Sequence, residues 1–185
     1  MIANPLEVEF GRGKKTPLRR SGSPVVSYST QFCGYEVRGR SSPRDTHRKR
    51  YLLRPGAIYA EVLLVRLLRD AGWKAVWIDT FRDKIWDDMP STGREAGLPK
   101  SELDLYCRIR RANRWERGGC WDIWAWHEGS MARLFVEAKR KDDEVGVKQV
   151  KWFESAKSAR VPARQFCIVE WTLNTIDSSA RHPRS

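Results

Sequence analysis

The 185-residue sequence predicts an α/β domain in which a central mixed β-sheet is flanked by helices, and three observations lead there. Apolar residues recur at helical spacing over residues 57–71 and about 144–159. Short runs rich in aromatic and β-branched residues lie at 73–78, 120–126, 131–139 and 166–171. Their order is helix, strand, long connection, hairpin, helix, strand, with no internal repeat.

The first helix is expected to follow Pro55-Gly56 and run from Ala57 to Ala71. Ala60, Leu63, Leu64, Leu67, Leu68 and Ala71 recur along it, and Gly72 supplies its stop. Trp73 to Ile78 reads as a strand and Asp83 to Lys100 as a loop. Leu103 to Ile109 reads as a further strand, followed by a segment, Arg108 to Arg117, so charged that it should lie exposed and able to touch phosphates. Beyond Gly118-Gly119, the stretches Cys120 to Trp126 and Met131 to Lys139 read as a hairpin, with His127-Glu128-Gly129-Ser130 as its turn. The second helix, about Glu144 to Ala159, should bury Val145, Trp152, Phe153 and Ala156. Pro162 then precedes a strand from Phe166 to Trp171. Three regions follow: a flexible basic arm at 1–54, a folded domain at 55–172 and a tail at 173–185.

Lys and Arg number 35 against 23 Asp and Glu, a formal net charge of +12, which suits a polyanionic partner. Residues 1–54 hold 12 basic and 4 acidic residues, a net of +8 that leaves +4 for the remainder, and they include the run Arg48-Lys49-Arg50. DNA is the expected partner, RNA is not excluded, and a homodimer or a partner protein would help to clasp it. Cys33, Cys107, Cys120 and Cys167 form no C-x-x-C pair, which argues against a zinc ribbon or a disulfide framework and fits a reducing cytoplasm. No apolar run approaches the roughly 20 residues of a membrane span, so no membrane partner is expected.

Alternation along a strand puts Glu137 and Lys139 on one face and Val136 and Ala138 on the other. Closing the hairpin brings Asp122 beside Glu137, and two adjacent carboxylates repel unless a cation lies between them. Hard oxygen ligands of this kind favour Mg²⁺ or Mn²⁺, and the Ala138 carbonyl is a candidate further ligand. A cation there would polarise a phosphodiester, with Lys139 orienting the attacking water or offsetting developing charge. An E-x-K triplet alone is a weak signal. Here Leu134-Phe135-Val136 leads directly into it, and charges inside an interior strand are rare without a task. Glu61 shares a helix face with Leu64, Val65 and Leu68, with no basic residue three or four positions away, and Gln149 lies on the stripe of Trp152, Phe153 and Ala156. Asp104, in Glu102-Leu103-Asp104-Leu105-Tyr106, is a rival to Asp122, which is preferred because its strand feeds directly into the E-x-K strand. Of the nine tryptophans, Trp124, Trp126, Trp152 and Trp171 are expected to pack the core, while Trp86 or Trp115 could stack on bases.

Trp121-Asp122-Ile123-Trp124-Ala125-Trp126, then Leu134-Phe135-Val136-Glu137-Ala138-Lys139-Arg140, then Gln149-Val150-Lys151-Trp152-Phe153, resemble the VRR-NUC domain, a branch of the PD-(D/E)XK nuclease superfamily. The resemblance spans roughly Ala57 to Trp171 and includes E-x-K followed by Q-x-x-W, from Glu137 through Trp152. It implies a restriction-endonuclease-like core in which Asp122 and Glu137 bind the metal and Lys139 acts at the water. Gln149 would support the site, and Glu61, the acidic residue of the first helix, would be a further metal ligand. Trp121 stands where the family usually has Pro before the aspartate, and the charged segment before Gly118 has no clear family counterpart. The function so implied is Mg²⁺- or Mn²⁺-dependent hydrolysis of DNA phosphodiesters, with a structure-specific role in replication, repair or mobile-element biology as one expectation. The rival class is a non-catalytic nucleic-acid-binding module on the same fold, whose binding would be salt-sensitive and indifferent to metal.

Overall fold

The computed structural model describes residues 4–19, 21–32, 35–36, 51–53, 56–90 and 93–173. In chain order the elements are α1 (Pro5–Phe10), β1 (Lys14–Pro17), β2 (Pro24–Phe32), β3 (Tyr35–Glu36), β4 (Tyr51–Leu53), β5 (Gly56–Ile58) and α2 (Ala60–Asp70). There follow β6 (Lys74–Asp79), β7 (Lys84–Trp86), α3 (Lys100–Ala112), β8 (Ile123–Trp126), β9 (Arg133–Arg140), α4 (Val147–Ser158) and β10 (Phe166–Leu173). Seven strands form one mixed sheet in the order β1-β2-β10-β9-β8-β6-β7, and β3, β4 and β5 form a small second sheet. In the large sheet β10 runs parallel to both β9 and β2, and every other neighbouring pair is antiparallel.

The sheet is covered on both faces, which is why its inner strands read as nearly continuous apolar runs. On one face Val62, Leu64, Val65 and Leu68 of α2 pack with Leu6 of α1 against Ala75, Trp77, Ile123 and Val136. On the other, Leu105 and Ile109 of α3 and Val150, Trp152, Phe153 and Ala156 of α4 meet Val76, Trp124, Phe135 and Phe166. Trp124, Phe135 and Phe166 stack or meet edge to face, with neighbouring centroids 4.6–4.7 Å apart. Each such fully buried side chain contributes roughly 1.5–3 kcal/mol relative to exposure. Helix α4 is the crossover that lets β10 lie parallel to β9.

Several sequence expectations need correction. Leu103 to Ile109 is not a strand but part of helix α3, because Glu102, Leu105 and Ile109 share one helical face that is buried, while Leu103 remains 46% exposed. Arg108 to Ala112 therefore belong to a helix rather than to a wholly exposed segment. The stretch 83–100 holds the short strand β7. The first long helix begins at Ala60, since Ala57 and Ile58 pair in β5. The described residues of 1–54 are not a free arm. Strand β2 pairs with β10 over Cys167 to Leu173, and Val25 and Tyr28 are buried on its two sides. Thr172 and Leu173 extend β10 rather than fraying. The run Arg48-Lys49-Arg50 and the tail from residue 174 onward lie outside the described residues, as does Cys33. No described helix is long and apolar enough to cross a membrane.

Candidate active site

Strands β8 and β9 pair antiparallel, with Ile123 opposite Val136. One register step further sets Asp122 opposite Glu137, and Asp122 extends the sheet on its other side as well, because its carbonyl accepts from the Ile78 N–H at 2.7 Å. Directly opposed residues of an antiparallel pair have Cβ atoms about 4.5–5.5 Å apart, so the two carboxyl groups are neighbours by construction. Asp122 Oδ2 also accepts from the Ala138 N–H at 3.1 Å, which ties the end of β8 to the E-x-K strand.

The face assignment follows the alternation. Phe135 packs on the α3/α4 side and Val136 on the α2 side, so Glu137 and Lys139 point toward the N-terminus of α4. There Lys139 Nζ lies 2.9 Å from Glu137 Oε1 and donates to Gln149 Oε1 at 3.1 Å. Gln149 Nε2 donates back to Glu137 Oε1, and Gln149 Oε1 also accepts from the Gly146 N–H at 2.7 Å. Gln149 is thus the third residue of α4, and its amide both closes the first turn of that helix and clamps the Glu137–Lys139 pair.

Position at the end of β8 is fixed by the loop before it. The Trp121 indole Nε1 donates to the Gln149 carbonyl at 3.3 Å, and its ring stacks on Phe153 and meets Phe166 edge to face. A Cβ at Gly119, where φ is +82°, would come within 2.3 Å of the Lys148 carbonyl oxygen, so only glycine lets this loop lie against α4. Trp121, the departure from the resembled family's usual proline, therefore serves as an anchor for the residue that follows it. Sequence reasoning did not assign Trp121 or Gly119 this role; the Gly118-Gly119 pair signalled a break in the chain but not what the break packs against.

Glu61 enters from the other side of the sheet. It lies in the first turn of α2, partly buried, next to Ala60, which packs on Ala138 and Trp171. Its charge is one of the influences that raise the Glu137 pKa. Asp122, Glu137, Lys139 and Gln149 are therefore brought together around the C-terminal part of β9, and Glu61 lies near them on α2 without joining the two carboxylates in a three-residue group. The rival Asp104 is instead exposed on α3.

The electrostatics are those of a crowded acidic pair. Burial and then the Glu137 charge push the Asp122 carboxyl well above its ordinary range, against the opposing pull of Lys139. Burial likewise raises Glu137, offset in part by Lys139. Burial alone would lower Lys139, but the Glu137 and Asp122 carboxylates outweigh it and raise its pKa, so the amine is charged at neutral pH. Glu137 Oε2 is buried and has no hydrogen-bond partner. A buried carboxylate oxygen left so costs about 1–3 kcal/mol or more, and only a shared proton or a cation relieves both that cost and the repulsion.

A hard divalent cation fits this donor set of Asp122 and Glu137 oxygens. Among the described residues no group of three His, Cys, Asp or Glu side chains is gathered to hold a metal by itself. The remaining ligands would be main chain, water and substrate, the usual situation for Mg²⁺. Ala138 touches the pair through its N–H, and its carbonyl remains a candidate ligand only. Comparison with family models, with curated proteins and with solved structures finds no match to this chain.

Proposed function

We propose that the protein is a divalent-metal-dependent nuclease with a restriction-endonuclease-like core, hydrolysing DNA phosphodiesters at the Asp122–Glu137–Lys139 cluster. The observation that carries this reading is the buried Oε2 of Glu137, which no donor reaches, set opposite Asp122, because such an arrangement is unfavourable unless the pair shares a proton or holds a cation. The resemblance to the VRR-NUC domain supports it through the quoted residues.

Asp122 and Glu137 would hold Mg²⁺ or Mn²⁺, which when bound polarises the phosphodiester and lowers the pKa of the attacking water. Lys139, fixed between Glu137 and Gln149 and 14% exposed, presents its remaining donor capacity to a reacting phosphate or water. Gln149 acts on position rather than chemistry, since both of its amide atoms are committed to holding Glu137, Lys139 and the start of α4. Glu61 adds negative charge near Glu137 and so favours a bound cation. The net charge of +12 suits the substrate.

The test is cleavage of branched, flapped, single-stranded and linear DNA with and without Mn²⁺. Cleavage is expected to need the metal, and Glu137→Ala should lower it at least about a thousandfold, a loss of several kcal/mol of transition-state stabilisation, while DNA binding survives. A wild-type protein inert on every DNA form with Mn²⁺ overturns the proposal. The net charge of +12 suits one second reading equally, a binding module on the same scaffold. That reading predicts salt-sensitive DNA binding which neither Mn²⁺ nor Glu137→Ala alters.

A further inference from the structure

Beside the acidic cluster lies a cavity of about 240 Å³ between the β6–β7 connection, α3 and the Gly118 loop. Two of its lining residues belong to the site's own framework. Ile78 carries the N–H that holds the Asp122 carbonyl, and Cys120 is two residues from Asp122. The cavity therefore borders the two chain segments that set Asp122 in place.

Its walls combine three kinds of group. Ile85 and Tyr106 give apolar and aromatic surface, and Phe81, 83% exposed, stands at the rim. Arg110 lies 5.9 Å above the Tyr106 ring and the same distance from the ring of Trp115, itself 54% exposed. Arg110 and Arg117 line the cavity, and neither forms an ion pair among the described residues. Asp83 also lines it and has no ion-pair partner there either. A carboxylate in the wall is unfavourable for a bare phosphate, but it suits a neutral heteroaromatic ring carrying an amino group. The enclosed space is smaller than the roughly 300–1,000 Å³ that holds drug-sized ligands and suits a single ring system.

We propose that this cavity receives one nucleobase of the substrate, drawn out of the base stack next to the bond to be cut, with an amino-bearing base preferred over thymine. The proposal rests on the nuclease reading for its substrate class. The base would stack against Tyr106 or Phe81 and set an exocyclic amine toward Asp83, while Arg110 and Arg117 meet the flanking phosphates. Taking the base out of the stack would present the adjoining phosphate to Asp122 and Glu137, which a paired and stacked strand holds back.

The experiment is an abasic scan. Single-stranded and flapped oligonucleotides, each lacking one base, are bound to the full chain in EDTA and their affinities compared, and the same set is then cleaved in Mn²⁺. One position next to the cleavage site should lose about tenfold in affinity when its base is removed. Phe81→Ser should weaken the intact oligonucleotide yet be insensitive to that abasic site, because the stacking contact is already gone, whereas Arg110→Met, which loses a phosphate contact, should weaken intact and abasic oligonucleotides alike. Unchanged thermal unfolding of both variants would show that the fold is kept. An even profile along the strand, or a Phe81→Ser protein that still loses tenfold at the abasic position, overturns the base pocket. Mn²⁺-dependent cleavage with an even profile sinks the pocket alone, whereas the abasic signature without cleavage by the wild type sinks the nuclease reading alone.

Discussion

Two buried glutamates sit on the same face of the sheet, and they have been treated in opposite ways by the fold. Glu102 of α3 pairs with Arg133, and Glu137 pairs with Lys139; the side chains are 4% and 13% exposed in the first pair, and 2% and 14% in the second. Burial does not distinguish them. Glu102 accepts from Arg133 Nε and Nη2 and from the Trp124 indole at 2.9 Å, so both oxygens are engaged by fixed donors. Glu137 has donors on Oε1 only, none on Oε2, and a second carboxylate opposite. Arg133 and Glu137 are four residues apart on β9, about 13 Å along the strand. Over that distance the same sheet face passes from a closed structural ion pair to an open acidic one. The difference teaches that a buried charge points to chemistry when its partners are incomplete, not when it is merely buried.

The comparison breaks most visibly in stability. Glu102→Ala should destabilise the fold by about 3–5 kcal/mol, since Arg133 is then left buried without its carboxylate and the Trp124 N–H loses its acceptor. Glu137→Gln removes an ion pair but also a partnerless oxygen and the repulsion with Asp122, so its cost should stay within about 1 kcal/mol. Chemical denaturation of both variants without metal checks this. Equal losses would mean that Glu137 is as structural as Glu102, and the distinction drawn between the two pairs would fail.

The same contrast explains how much was legible in the sequence. The acidic pair could be read because its geometry is local: a hairpin with a short turn, two-residue alternation, and Leu134-Phe135-Val136 marking an interior strand. Gln149 could be placed by its helical stripe, although not its double contact with Glu137 and Lys139. Glu102 was misread because Leu103, Leu105, Cys107 and Ile109 alternate as in a strand, and the partner that makes its helix face buried, Arg133, is 31 residues away. Strand β2 was missed for the same reason on a larger scale. Its Ser-rich sequence looks like a linker, and what orders it is a parallel ladder with β10 some 140 residues later. Local periodicity is visible in one sequence, and pairing between distant segments is not.

A smaller effect sharpens the comparison at the level of position. Gln149→Ala keeps every proposed ligand but removes the clamp on Glu137 and Lys139, along with the Gly146 cap. Groups that orient metal ligands typically contribute 10–100-fold to activity or metal affinity. Cleavage in Mn²⁺ should fall by about that factor. Gln149→Glu retains an acceptor for Lys139 and Gly146 but sets a carboxylate oxygen against Glu137 in place of the donor, so it should fall at least as far as Gln149→Ala. If Gln149→Ala cleaves at the wild-type rate, the contacts around Gln149 only cap α4.

A last consequence is expected in how metal-free stability depends on pH. Asp122 and Glu137 both titrate above the ordinary carboxylate range in the folded protein, so between about pH 4 and neutrality the native state holds more protons than the unfolded chain. Stability from this pair is therefore complete in acid and is lost as pH rises through the raised values, the reverse of a carboxylate in a complete ion pair. Asp88 and Glu154 are lowered by Arg66 and by Ser21 and Lys157, and they contribute with the opposite sign, so the informative quantity is the difference between wild type and Asp122→Asn. Across that range the wild type should lose stability relative to Asp122→Asn in EDTA. Saturating Mn²⁺ should remove the trend, because a cation then occupies the place of the proton and stabilises the folded wild type by about 2.7 kcal/mol at a hundred times its Kd. Parallel curves in EDTA would mean that the two carboxyl groups do not contend for a proton, and with that the physical reason for a cation between them would be gone.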